Sequence, residues 1–310
     1  MGGGAVRARP MPGAHVVTVA VEHSSVLETC RALEEEGCAV TRLPVNDEGR
    51  VSVAAVGNAL RPETVLVSVA LANNEIGTIQ PVAEIGRLAR ERGVLVHTDA
   101  VQAAGKVPLD VEDLGVDLLS LSAHKIYGPK GTGALYVRTG VEIASLHRGG
   151  PQERERRAGT ENVIGVVAFG WAAELARREV EEVSQRCRLL TRRLWEGMRD
   201  RISGVRRNGP RQGGLANTLN VSFDGVRGES LAVGLDLEGV AVSTGSACAA
   251  GAVEPSHVLL ALGRTREEAA GAIRLSVGKD TTPGEIEAAL DILAAVVERI
   301  RRVNAGGGGT

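Results

Sequence analysis

Short, almost continuously apolar runs alternate with amphipathic stretches through the first half of this 310-residue chain, and that alternation permits few folds. Residues 16–21, 39–43, 65–71, 94–98, 118–121 and 134–137 read as strands. Residues 26–36 and 82–92 read as helices, stopped by Gly37 and Gly93. Strands that are apolar on both faces belong in a mostly parallel sheet covered by helices on each side. From Glu161 to Arg199 the pattern is helical, with a break expected near residues 183–186. A smaller α+β unit follows, with strands at 219–223, 240–243 and 273–277 and a helix at 229–236. A closing helix opens with Thr282 as N-cap, Pro283 at the first position and Glu285 completing a capping box. Ile286, Leu290, Leu293, Val297 and Ile300 give that helix one buried face. The fold class expected is α/β with a second α+β domain. Residues 1–14 form a disordered N-terminus in this reading, 15–183 a large domain, 184–304 a small C-terminal domain, and 305–310 a disordered tail.

Hydrophobic residues make up 43% of the chain and the formal net charge is -2, which argues against nucleic acid or an anionic membrane as partner. No apolar run reaches the length of a bilayer span, so a cytoplasmic location is expected. Cys30, Cys38, Cys187 and Cys248 have no metal-ligand spacing and no Cys-x-x-Cys occurs, which predicts reduced thiols and no metal.

The strand ends carry the chemistry. Glu22-His23 follows the first strand, Asn73-Asn74-Glu75 the third, Asp99 the fourth, and Ser122-Ala123-His124-Lys125 the fifth. Ligands of open α/β sheets bind outside the carboxyl ends of the strands, so four polar tips at that edge describe one site. Lys125 stands out in a chain whose positive charge is mostly arginine, and burial would make its amine nucleophilic. An amine there can hold an aldehyde as a Schiff base. Asp99 closes an apolar run where an unpaired carboxylate is costly, and a pyridinium nitrogen would offset that cost. Lysine and acid together are what pyridoxal 5'-phosphate (PLP) requires. The competing reading of Asp99 is a helix N-cap. Gln102 can donate to the cofactor's phenolic oxygen, and Ser122 and His124 can reach its phosphate. His23 can stack on the ring or move protons, although a lone histidine is more often structural. His15, His97, His147 and His257 take the structural reading.

Two residues of the second unit stand apart. Cys248 lies in Ser243-Thr244-Gly245-Ser246-Ala247-Cys248-Ala249-Ala250-Gly251, a run with no bulky residue, which suits an accessible thiol better than a core cysteine. Arg274 interrupts an apolar strand and is out of place unless it grips an anion such as a substrate carboxylate. The charged stretch 148–157 reads as a solvated loop or as a phosphate contact offered across a dimer interface.

Together these residues resemble the cysteine desulfurases of the iron–sulfur-cluster type, within the class V aminotransferases of PLP fold type I. The motifs are Glu22-His23, Asn73-Asn74-Glu75-Ile76-Gly77, His97-Thr98-Asp99-Ala100-Val101-Gln102, residues 122–131, Arg157 to Asn162, and residues 243–248 with Glu254-Pro255-Ser256. The resemblance runs from about His15 to Arg302. It implies that Lys125 holds PLP and that Asn74, Asp99, Gln102, Ser122 and His124 bind it. Thr160 would reach the phosphate of a neighbouring subunit, and Arg274 with Asn74 would hold the substrate. L-cysteine becomes L-alanine, with Lys125 and His23 moving protons and Cys248 taking the sulfur as a persulfide for a scaffold or carrier protein. A homodimer is implied. The family's N-terminal segment, with its phosphate loop, has no counterpart in residues 1–13, so an uncovered edge is expected at the 134–137 strand. Pro151 and Glu155 stand where the family commonly has glycine. A selenocysteine lyase is the enzymatic variant of this reading. An inactive fragment and a non-catalytic partner of an intact desulfurase are the alternatives.

Overall fold

The computed structural model describes residues 2–9, 13–244 and 255–306, and the chain divides into two units. The first comprises Met1–Val45, Arg50–Asn73 and Ile79–Glu181. Its strands are β1 (His15–Val19), β2 (Ala39–Leu43), β3 (Thr64–Ser68), β4 (Leu95–Asp99), β5 (Leu118–Ser122) and β6 (Gly133–Val137). Its helices are α1 (Gly2–Arg7), α2 (Ser24–Glu35), α3 (Val53–Ala59), α4 (Val82–Glu91) and α5 (Val111–Leu114). The strands form one sheet in the order β2-β1-β3-β4-β5-β6, parallel throughout except for β6. β1 and β3 are buried along their whole length, their polar His15, Thr18, Thr64 and Ser68 included, as a strand covered on both faces requires. β6 is paired on one side alone among the described residues.

Two expectations are corrected here. Residues 1–14 are not uniformly irregular, because α1 packs Ala5 and Val6 into the core with Val16, Cys30, Leu33 and Leu66. Two small apolar residues side by side in a glycine-rich stretch supply that burial. The helical region expected to break near 183–186 is a single 39-residue helix, α6 (Val163–Arg201). Residues 183–186 hold no glycine or proline to interrupt the helix, and Arg186 is fastened by a 2.8 Å hydrogen bond to the Thr281 carbonyl.

The second unit comprises Asn46–Gly49, Asn74–Thr78 and the chain from Glu182 onward. After α6 it adds β7 (Val205–Asn208), β8 (Thr218–Phe223), α7 (Gly228–Leu237), β9 (Ser243–Thr244), α8 (His257–Ala261), α9 (Arg266–Ala270), β10 (Ala272–Ser276) and α10 (Pro283–Gly306). Its sheet order is β7-β8-β10-β9, antiparallel at every pairing. Leu190, Leu194 and Met198 of α6, Leu231 and Leu235 of α7, and Leu290 and Leu293 of α10 fill its core over Val221 and Ile273. The expected strand at 240–243 shrinks to the two residues of β9. The capping box at Thr282 is present, with reciprocal bonds to Glu285 of 2.7 and 3.2 Å.

Gly86 sits where α4 meets the end of α5. A Cβ there would lie 2.6 Å from the Leu114 carbonyl oxygen, which is backbone and cannot step aside. Gly86→Ala should therefore destabilise the chain by about 1–3 kcal/mol through overpacking, although alanine is the better helix former by about 1 kcal/mol. Gly284→Ala, with open space around the added methyl, should leave the urea midpoint unchanged or raise it slightly.

Candidate active site

The parallel strands of the first unit bring their polar tips to one edge. Asp99 ends β4 and is paired with Ser120 of β5, so Ser122 follows one side-chain repeat further along the same face. A tight 3-10 turn, Ala123–Ile126, begins directly after Ser122 and carries His124 and Lys125. Tyr127 closes that turn with φ +64, a left-handed backbone that costs a bulky residue strain. The Gly128 N–H bonds the Ala123 carbonyl at 2.9 Å and holds the turn shut. A cleft of about 480 Å³ opens over these strands, lined by Asp99, Ser122 and His124 together with Ser68, His97 and Gly133.

Asp99 is half-buried, and its carboxyl is raised above the usual range chiefly by desolvation, with the Val101 N–H and nearby His23 pulling the other way. The Val101 N–H donates to its Oδ1 at 2.9 Å, so the N-cap reading holds for one oxygen. Ser122 Oγ and His124 Nδ1 are 2.8 Å apart. Gln102 Oε1 accepts from Lys106 Nζ at 3.1 Å, which leaves the amide nitrogen of Gln102 as the donor. His23 is exposed and caps α2, its Nδ1 accepting from the Ser25 N–H at 3.2 Å. Lys125 is exposed, contrary to the buried amine expected from the sequence. Its carrier is a short turn beyond the sheet edge, where solvent reaches it. Thr160 is exposed in the loop ahead of α6. In the stretch before it, Glu153, Arg154 and Glu155 have φ of +48, +56 and +64, so the glycine expected at 155 has a physical basis.

Arg274 and Asn74 belong to the second unit and meet there. Arg274 Nη1 donates to the Asn74 carbonyl and Nη2 to Ser243 Oγ, both at 2.9 Å. Among the described residues its Nε is buried with no hydrogen-bond partner, which suits a guanidinium awaiting an anion. Cys248 and Glu254 lie outside the described residues. Cys30, Cys38 and Cys187 are free thiols, and burial pushes Cys30 up to about 11. No cluster able to hold a metal ion occurs among the described residues.

The strand-end pattern gave no role to Glu22. Its carboxyl is buried at the tip of β1, where Oε1 accepts from the Ala70 N–H at 2.8 Å, and desolvation pushes it up to about 8. The signal was a glutamate ending an apolar run, the same signal that marked Asp99. His97, read as structural, is fixed by Ser68 at 2.8 Å and Ser120 at 2.9 Å, and burial lowers it to about 3.

An aminotransferase class-V family model matches residues 4–289. A cysteine desulfurase, IscS, from Clostridium botulinum is 48% identical over 97% of this chain and 76% of its own length. The chain belongs to the cysteine desulfurases. The mitochondrial cysteine desulfurase of Arabidopsis thaliana is 46% identical over 94% of this chain and 64% of its own. Among solved structures, a NifS-like protein superposes with a TM-score of 0.88 at 38% identity, covering 95% of this chain and 78% of that one. A structure of SspA in complex with cysteine gives 0.76 at 36% identity, over 90% and 78%. The family match begins at residue 4, ahead of His15, so most of α1 falls inside it, which corrects for residues 4–13 the expectation that the first thirteen residues are unrelated to the family.

Members of this family use PLP. The residues present fit it: a desolvated carboxylate for a pyridinium, a hydroxyl and an imidazole at one cleft, and a lysine on the adjoining turn. The two buried ionisable groups set opposite pH dependences. Glu22 binds its proton more tightly in the folded state, so its contribution is present below the unfolded value of 4.5 and lost as pH rises through about 8. His97 is held neutral, so its contribution is present above 6.5 and lost as pH falls toward 3. Glu22→Gln should lack the alkaline loss, gaining on the parent by a few kcal/mol between pH 5 and 8 in urea titrations of the cofactor-free chain.

Proposed function

We propose that this cysteine desulfurase holds PLP through Lys125, with Asp99 at the pyridinium nitrogen, Gln102 at the phenolic oxygen and Ser122 and His124 at the phosphate. The observation that carries the assignment is Asp99, Ser122 and His124 lining one cleft beside the turn that bears Lys125. Asn74 and Arg274 bind the substrate, and the unpartnered buried Nε of Arg274 supports a carboxylate there. When bound, the cofactor supplies an electron sink for the carbon next to the substrate amine. Lys125 moves the proton at that carbon, and His23, exposed beside Asp99's strand edge, is the second proton carrier. Cys248 as thiolate attacks the sulfur of L-cysteine. A sulfur–sulfur bond forms as the carbon–sulfur bond breaks, and the electron pair left on carbon takes a proton to give the methyl group of L-alanine. The sum is L-cysteine plus a thiol giving L-alanine plus a persulfide, balanced with no outside oxidant.

The persulfide passes to a scaffold or carrier protein in iron–sulfur-cluster assembly, in a cytoplasmic setting that free thiols support. A homodimer is supported by an exposed apolar stripe on the first half of α6, where Val163, Ile164 and Trp171 are 65%, 85% and 66% exposed and Val167 lies between them. Thr160, just ahead of this stripe, is the residue assigned to the phosphate held by the second copy.

Mixing the chain with PLP should give a visible absorption band that Lys125→Ala lacks, and cysteine should yield alanine at a rate at least a thousandfold lower in that variant. Absence of the band from the parent chain would overturn the cofactor assignment. Trp171→Asp should convert a dimer to monomer in sedimentation, weakening association by about a hundredfold.

A further inference from the structure

The segment after β4 carries Gln102 and, four residues on, Lys106. It winds as a helix does. The Ala103 and Ala104 N–H groups both donate to the Ala100 carbonyl, at 3.0 and 2.9 Å, and the Val107 N–H donates to the Ala103 carbonyl at 3.0 Å. Ala100, Ala103 and Ala104 are buried, and Ala104 packs with Ala123 and Ile126 of the turn that bears Lys125. Gly105 takes φ +66, and a Cβ there would lie 3.1 Å from both Ala176 and Ile126, so glycine lets the winding sit close against α6 and that turn. Residues four apart in such a winding share one face. There Lys106 Nζ donates twice to one residue, to the Gln102 carbonyl at 2.9 Å and to Gln102 Oε1 at 3.1 Å. A side-chain amide has an oxygen end and a nitrogen end of nearly the same shape, and either can face a neighbour. An ammonium has donors alone, so the oxygen end is the one that can face Lys106. Asp99 and Val101 line the cleft, and Gln102 is the next residue.

We propose that Lys106 is a positioning residue for the cofactor, fixing the Gln102 amide so that Nε2 is the end offered to the phenolic oxygen. This rests on the assignment of Gln102 to that oxygen, but the orientation of the amide is testable in the cofactor-free chain. The bond to the Gln102 carbonyl ties the ammonium to the backbone, so the amide meets a donor held in one place. A positive charge on the oxygen side also polarises the amide and strengthens its N–H as a donor. Without that ammonium the amide is free to turn, and its oxygen would then oppose the phenolic oxygen, acceptor against acceptor.

The first test is titration of the full chain with PLP, followed by the Lys125-dependent visible band. Lys106→Met keeps the length of the side chain and removes its donors, and should raise Kd about fivefold. Lys106→Arg keeps donors and should stay near the parent. In a Gln102→Ala background Lys106→Met should have no further effect, because the lysine acts through an amide that is gone. Equal losses in the two backgrounds would show that Lys106 only supports the winding or the local charge, and would overturn the proposal. A Kd equal to the parent in Lys106→Met alone would overturn it as well. The second test reads the amide itself by NMR of the cofactor-free chain with isotope-labelled glutamine, Gln102→Ala assigning the resonance. The Gln102 side-chain NH2 should be rigid in the parent and mobile in Lys106→Met, and equal mobility in the two counts against the proposal. Absence of the band from every protein sinks the cofactor reading and leaves the amide mobility to decide the positioning.

Discussion

A buried histidine locks the register on which the candidate site depends. His97 of β4 receives Ser68 of β3 on one ring nitrogen and Ser120 of β5 on the other. A neutral imidazole offers one donor and one acceptor, and burial keeps His97 neutral, so the two serine hydroxyls complete it. Three parallel strands are thereby pinned at one level. Because side chains alternate with period two, a slip of one residue would turn Asp99 and Ser122 to the opposite face of the sheet. The Asp99–Ser120 pairing and the step from Ser120 to Ser122 then follow. What looks like an idle core histidine is a condition for the cleft.

Much of this was legible because the constraints were local. Apolar runs named the six strands of the first sheet, and polar tips at their carboxyl ends named Asp99, Ser122 and His124. The helix 163–201 was misjudged at its middle because a polar stretch resembles a boundary, whereas α6 only passes there from Phe169 and Ala172 in one core to Leu190 and Leu194 in another. Burial was harder to read than position. Lys125 follows an apolar strand, yet a four-residue turn lifts it into solvent. Glu22 carries as good a signal as Asp99, but the sequence does not say which acid at a strand end keeps its proton. Glu75 and Ser256 are far apart in the chain, and no local pattern relates them.

The second unit uses its polar residues in a different way. Its cores are conventional, with α6, α7 and α10 covering an antiparallel sheet. The unusual features are an arginine inside β10 and a glutamate buried among asparagines and serines. Each costs desolvation, and each is repaid by bonds to backbone or hydroxyl groups.

Charge at the sheet edge of the first unit can be followed the same way. Glu22 and Asp99 both lose solvation, and the charge of Asp99 raises Glu22 further. Their surroundings separate them. Asp99 has the Val101 N–H and the field of His23 to favour ionisation, while Glu22 is pushed up to about 8 by deeper burial despite its bond from Ala70. Burial thus keeps the proton on Glu22 at neutral pH, while Asp99 keeps an N–H donor and a nearby imidazole that favour its charged form. A neutral Glu22 adds no second negative charge beside the carboxyl that lines the cleft. Protonated Glu22 thus lets a buried acid support the end of β3 through Ala70 without altering the charge that the cofactor meets.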